Sequence, residues 1–212
     1  MDSTNRPTVA VLFPEQHREA ARALGRAFIN DPPFKVVLPD VSEPVERARR
    51  LTIFFEAMLG IQRQSGQPII GTILDGKVVG AAIVEGAGGA SMTNLVLNGL
   101  LRVSGVVRGL GWGGTMRGLQ LMNILANNHP KEPHIYLNFL GVDPDYQRHH
   151  HCGSTMIDHL RDLATIRPSL CGVYLETATE ANVAYYSARG YEVLGEIFPL
   201  GCRMWRMLQR RR

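Results

Sequence analysis

Apolar residues recur along the chain in two periods, and the points where the period switches divide it into elements. Thr8-Val9-Ala10-Val11-Leu12-Phe13 is a β-rich run, and Pro14 stands where a first helical turn tolerates proline. Ala20, Leu24, Ala27 and Phe28 then recur at helical spacing, and Asp31-Pro32-Pro33 stops that helix. A second helix is predicted from about Glu43 to Gln64, with Val45, Ala48, Leu51, Phe54, Phe55 and Met58 on one side. The period next changes to that of strands. Residues 68–74 and 77–84 are two β-rich runs around Asp75-Gly76, a strong short-range signal for a hairpin.

Residues 86–132 are punctuated by ten glycines among apolar segments of helical spacing, and two or three short helices ending near Asn127-Asn128-His129-Pro130 are predicted. Glycine inside a helix costs about 1 kcal/mol relative to alanine, so this stretch should be mobile or closely packed. It reads either as an irregular packing layer or as the wall or lid of a substrate pocket. After Pro133 the pattern sharpens. Strand 134–142 is followed by the turn Asp143-Pro144-Asp145-Tyr146, and a helix from Gly153 to Ile166 carries Met156, Ile157, Leu160 and Leu163 on its buried stripe. Strand 172–177 precedes a helix from Asn182 to Arg189, closed by Gly190 as a left-handed cap, and Tyr191 to Glu196 begins the next strand. Arg203-Met204-Trp205-Arg206-Met207 alternates like an edge strand. The expected fold class is α+β. One domain spans 1–212, with a variable helical insertion at 86–132 and a basic C-terminal strand and tail at 203–212.

Composition narrows the function. With 212 residues, 45% of them hydrophobic and 20% charged, the chain can bury a real core, and it is not of the disordered or disulfide-stapled classes. No apolar run reaches the length of a membrane span, since the longest, around Leu95–Trp112, is cut by Arg102 and Arg108. The N-terminus lacks a cationic segment followed by an apolar one, and three scattered cysteines (Cys152, Cys171, Cys202) fit reduced thiols, so a cytoplasmic protein with no membrane partner is expected. The net charge of +4 comes from five arginines within the last ten residues, which leaves the rest of the chain close to neutral. A solvated terminus explains this more simply than a nucleic-acid partner.

The most informative unit runs from strand to helix across 134–166. Gln147-Arg148-His149-His150-His151-Cys152-Gly153-Ser154 leads straight into a helix start, whose unpaired N–H groups and partial positive charge suit an anion. Gly141-Val142-Asp143-Pro144-Asp145-Tyr146-Gln147 followed by Gly153-Ser154 resembles motif A of the GNAT superfamily of N-acetyltransferases. Leu175-Glu176-Thr177, Asn182-Val183-Ala184-Tyr185-Tyr186 and Gly190-Tyr191-Glu192-Val193 resemble its motif B. Within the superfamily the puromycin N-acetyltransferase-like branch is the most similar, sharing the lead-in His129-Pro130-Lys131-Glu132-Pro133.

That resemblance implies a GNAT-like fold: a central twisted, mixed and mostly antiparallel sheet of six to seven strands flanked by helices, in which the motif A strand and the strand after it splay apart. It implies acetyl-CoA as co-substrate. Backbone groups near Leu140, Gly141 and Val142 would align the thioester arm, and Gln147, Arg148, His149, His150, His151, Cys152, Gly153 and Ser154 would form the pyrophosphate loop. Asn182 occupies the position that contacts the cofactor arm, and Tyr186 that of the general acid. A phenol of pKa near 10 can protonate a departing thiolate without being ionised at neutral pH. Adjacent residues cannot share one buried stripe, so Tyr185 is assigned to packing and Tyr186 to the cleft.

An acceptor alkylamine is almost fully protonated at pH 7, so a base must take its proton. Glu176 is the first candidate, against the alternative of a structural carboxylate at the sheet edge. Tyr136 and Asn138, two apart on a strand, are candidates to line the acceptor site. The family's loop carries glycines where this chain has His149, His150 and His151. Three readings follow: a variant loop that still binds coenzyme A, a degenerate loop that does not, or a metal clip of His149, His151 and Cys152, which adjacent residues on a short loop rarely form. The function implied is direct transfer of acetyl from acetyl-CoA to a primary amine of a small molecule, within a ternary complex and without a metal. The alternatives are a protein or peptide N-acetyltransferase and a non-catalytic acyl-CoA-binding module. A homodimer is compatible with the sequence.

Overall fold

The computed structural model describes residues 6–86, 103–148 and 151–211. Seven strands form one open sheet: β1 (Thr8–Val11), β2 (Ile69–Leu74), β3 (Lys77–Glu85), β4 (Ile135–Val142), β5 (Gly172–Thr177), β6 (Glu192–Ile197) and β7 (Met204–Arg210). The spatial order is β1-β2-β3-β4-β5-β7-β6, with β4 and β5 parallel and the other neighbours antiparallel. The helices are α1 (His17–Ala27), α2 (Pro32–Val37), α3 (Pro44–Gln64), α4 (Val103–Ala126), α5 (Cys152–Thr165) and α6 (Glu180–Ser187). This is the expected mixed sheet flanked by helices.

Each sheet face buries its own core. On one side α5 lays Met156, Ile157 and Leu160 over Ile70, Val84, Ile135, Leu137 and Val173. On the other, α1, α2 and α3 pack Leu24, Phe34, Leu51 and Phe55 against Ile69, Ala81 and Ile83. The predicted hairpin forms, and Asp75 and Gly76 both adopt left-handed backbone (φ 51° and 74°), the geometry that matches the twist of paired strands. Gly190 is left-handed as expected (φ 83°).

Three readings need correction. The C-terminal run is not an edge strand: β7 lies between β5 and β6, and Trp205 and Met207 are buried beneath α5. Two of its arginines are not free in solvent either, because Arg203 pairs with Glu196 at 2.8 Å and Arg210 lies 4.0 Å from Glu192. Next, Asp31-Pro32-Pro33 does more than end a helix. Asp31 caps α2, accepting from the Phe34 N–H at 3.4 Å, and proline's missing N–H is harmless in a first turn. Finally, the described part of the glycine-rich region is two helical halves joined at Gly111 (φ 70°), which together make α4. Here the glycines serve close packing: a Cβ on Gly109 would lie 2.7 Å from the Phe54 nitrogen of α3. The upstream part, 87–102, lies outside the described residues.

Two buried contacts pin α2 where it matters. Arg47 of α3 donates to the carbonyls of Phe34, Leu38 and Val41, and Arg117 of α4 donates to Val37 O at 3.0 Å. These carbonyls at the end of α2 have no helical partner, so the arginines satisfy them and fix α2 against its neighbours.

Candidate active site

The sheet opens between β4 and β5. Only Ile135 and Tyr136 of β4 pair with β5, opposite Val173 and Tyr174, so the strand from Leu137 to Val142 has no neighbour on that side. This is the expected splay. A cavity of about 370 Å³ runs through the gap, because its lining comes from both sides of the sheet: Phe28 and Phe34 beneath, Asn182 and Tyr186 above.

The β4 edge is shaped by a bulge. Pairing with β3 shifts from Ile83↔Phe139 to Val84↔Leu137, which leaves Asn138 as an extra residue. The bulge reverses the alternation, so Leu137 faces the α5 core whereas Phe139 joins the cluster under α1 and α3. Tyr136 and Asn138 both line the cavity. Their shared face was legible by simple alternation; the bulge beside it was not. Farther along, Asp143 N–H donates to Val79 O at 2.8 Å, so alternation turns the backbone groups of Gly141 toward β3 and those of Leu140 and Val142 toward the open edge. Gln147 Nε2 donates to Val142 O at 2.7 Å, so its side chain braces the turn. Gly141 has its own role: a Cβ there would meet Ala27 at 2.9 Å and Leu24 at 3.0 Å, so glycine lets α1 approach β4.

At the start of α5 the backbone is left-handed at Arg148 (φ 70°) and at His151 (φ 56°), the helix N-cap, and both side chains are exposed. The chain thus follows a path natural to glycine with other residues, at roughly 1–2 kcal/mol for each such position. No side chain caps this helix, while Ser154 Oγ and Thr155 Oγ1 donate to His151 O at 2.8 and 2.9 Å. The N–H groups of the first turn therefore remain for a ligand. The Cys152 side chain is buried in the α5 core, so only its backbone can face that seat, and burial pushes its thiol pKa up. Gly153 and Ser154 are half-buried in the first turn, where the Tyr185 hydroxyl reaches Ser154. His149 and His150 lie outside the described residues.

α6 separates its two tyrosines as expected. Tyr185 is covered by the Arg189 guanidinium, 3.7 Å from the ring centre, whereas Tyr186 lines the cavity. Burial raises the Tyr186 pKa well above that of a free phenol, so the hydroxyl keeps its proton. Asn182, one turn earlier, lines the same cavity.

Glu176 stands on β5 beyond the splay point, with its side chain 3% exposed. Tyr174 OH donates to its Oε1 at 2.8 Å, and Tyr136 is a second donor. Burial outweighs these donors and raises the Glu176 pKa to about 7. His129 Nε2 lies 3.6 Å from the same oxygen, just beyond hydrogen-bond range, and burial together with nearby His134 lowers that ring to about 4. His129 opens on its far side to an outer groove shared with Glu85 and His134. Asn138 Nδ2 donates to Glu85 Oε1 at 3.2 Å, and burial raises the pKa of that carboxyl too.

Sequence reading missed two features. Asp31 lines the cavity and burial raises its pKa to about 7, although nothing in Asp-Pro-Pro distinguishes a cavity carboxyl from an ordinary cap. His129 was noted only as part of a lead-in, and its approach to Glu176 depends on the sheet.

With this geometry in place, the comparisons fall into line. The family model described as "Acetyltransferase (GNAT) family" matches residues 31–191, so the chain belongs to that family. Among solved structures, it is similar to a histone acetyltransferase HPA2-related acetyltransferase from Corynebacterium glutamicum (23% identity, 98% of this chain and 97% of that chain, TM-score 0.66). AAC(6')-Ib in complex with ribostamycin and coenzyme A shares 14% identity (97% and 94% coverage, TM-score 0.58). GphF, a GNAT-like decarboxylase in complex with isobutyryl-CoA, shares 13% (97% and 100%, TM-score 0.56). Identities this low speak to the fold alone.

Proposed function

We propose that the protein transfers an acetyl group from acetyl-CoA directly to the primary amine of a small molecule. The observation that carries this reading is the single cavity through the splayed strands, which brings Tyr186, Asn182 and Leu140 together with Glu176, Tyr136 and Asn138. Its enclosure by α2, α3 and α4 favours a small acceptor over a protein surface, in keeping with the small-molecule acceptors of the puromycin N-acetyltransferase-like branch.

The residues present fit coenzyme A. Leu140 and Val142 hold backbone groups toward an edge without a neighbouring strand, and the first turn of α5 has unpaired N–H groups for a diphosphate, aided by Arg148. Bound there, the thioester supplies an activated acetyl group and a thiolate leaving group. Glu176 takes the proton that the attacking amine loses, and Tyr186 gives a proton to the sulfur as the carbon–sulfur bond breaks. Glu176 can then pass its proton toward His129 and the outer groove. Asn138 and Tyr136 orient the acceptor.

The test mixes the protein with acetyl-CoA and a panel of primary amines, following thiol release and the acetylated product by mass spectrometry. Amine-dependent thiol release is expected. Thermal stability should also rise with acetyl-CoA, by about 2.7 kcal/mol at 100 times the dissociation constant. The absence of both would sink the proposal; a stability rise without turnover on any amine would instead leave an acyl-CoA-binding module.

A further inference from the structure

The cavity's wall is unusual in composition as well as in shape. Three short-range groups build it: phenylalanines of α1, α2 and α3 (Phe28, Phe34, Phe54) and apolar residues of α4 (Leu110, Met122, Leu125). These phenylalanines pack edge to face with Phe139, at centroid distances of 5.5 to 6.2 Å for the Phe28–Phe34, Phe34–Phe54, Phe28–Phe139 and Phe54–Phe139 pairs, forming an apolar floor. Among the described residues lining the cavity, the ionisable groups of acidic character at neutral pH are Asp31 and Glu176, and there is no lysine, arginine or histidine.

From this lining we propose that the acceptor is a cationic primary amine carried on a bulky apolar or aromatic body, drawn in by Asp31 as a second counter-charge besides Glu176. The inference rests on the acetyltransferase reading of the same site and adds the class of acceptor. A polyhydroxylated amino sugar would leave hydroxyls facing phenylalanine and leucine without hydrogen-bond partners, which disfavours it. A carboxylate-bearing amine would meet two like charges and no cation. An apolar amine satisfies both constraints, since its body replaces water against the wall and its ammonium faces the carboxyls. The volume of about 370 Å³ lies in the range that holds a drug-sized ligand. Asp31 is available for this, because its one bond from the Phe34 N–H at 3.4 Å uses Oδ1 only. Burial that raises its pKa also means that a neighbouring cation would favour its ionised form.

The experiment compares kcat/KM for a phenylalkylamine and a long-chain alkylamine with that for an aminoglycoside, a short peptide N-terminus and an amino acid. A preference of about 100-fold or more for the apolar amines is expected. Asp31→Asn keeps a capping oxygen but removes the charge, and should raise KM for the apolar amine several-fold with little change in kcat. Leu119→Gln, at a cavity position that is 42% exposed and so tolerant of change, should weaken the apolar preference without unfolding the chain. A binding readout without acetyl-CoA separates the two proposals. If the dimethylated, unreactive amine still raises thermal stability while no amine is acetylated, the transferase reading fails and the pocket assignment stands. Equal or better turnover of the aminoglycoside or the amino acid overturns the apolar class, and an unchanged KM in Asp31→Asn removes Asp31 as the counter-charge.

Discussion

The two halves of the cavity are built from different materials. The side formed by β4, α5 and α6 offers mainly backbone: an open strand edge at Leu140 and Val142 and the first turn of a helix. The side formed by α2, α3 and α4 offers side chains, with phenylalanines and leucines around the carboxyl of Asp31. A backbone site tolerates exchange of the side chains around it, which is how left-handed Arg148 and His151 can stand where glycine is natural. A side-chain site has no such freedom, since each substitution changes what the wall touches. The contrast implies a common donor on one side and a particular acceptor on the other.

The sharpest way to break this comparison lies where the halves meet. Tyr186→Phe should lower kcat by about 10²–10⁴-fold while leaving coenzyme A affinity, measured by calorimetric titration, unchanged. Equal turnover would move the acid elsewhere. Glu176→Gln should lower kcat/KM by about 10²-fold or more. The raised carboxyl makes the base form appear only as pH passes about 7, so the wild-type rate should rise through that pH and the variant's profile should lose this limb. A retained limb would assign it to another group.

Stability variants probe the two materials separately. Gly141→Ala brings a methyl against Ala27 and Leu24, and overpacking of this kind costs about 1–3 kcal/mol, read as a lower melting temperature. Asp31→Asn tests the side-chain half through pH. A carboxyl whose pKa is raised on folding binds its proton more tightly in the fold, so it is neutral to stability at low pH. It then becomes increasingly destabilising as pH climbs from the unfolded value near 4 to the folded value of about 7. The variant should therefore gain melting temperature relative to wild type at pH 8 and not at pH 4. The smallest effect is expected for His151→Gly, which relieves left-handed strain but loosens the unfolded chain, a net change within about 1 kcal/mol either way. A large loss would mean that the imidazole itself makes a contact the fold needs.

Legibility followed the same division. The strand–turn–helix from 134 to 166 and the motif around Asn182 and Tyr186 could be read because backbone architecture imposes spacing, and spacing is a property of the chain. The bulge at Asn138 could not, since a bulge exists only relative to the partner strand. The glycines of α4 could be read as close packing or mobility but not resolved between them, because the contact of Gly109 is with α3, some fifty residues away in sequence. The C-terminal arginines looked like a solvated run until β6 provided Glu192 and Glu196 as partners.

What the sequence determined by itself was local: periodicity placed the helices and strands, turn chemistry placed the hairpin, and spaced motifs placed the donor side and Tyr186. Tertiary structure decided what depends on distant segments meeting. It made β7 an internal strand, set Asp31 and Glu176 at one cavity, and brought His129 to within 3.6 Å of the Glu176 carboxylate. The physical reason is that hydrophobic burial and backbone hydrogen bonding repeat with short periods along a chain, whereas a raised pKa and a pocket's selectivity arise from which groups are excluded from water together.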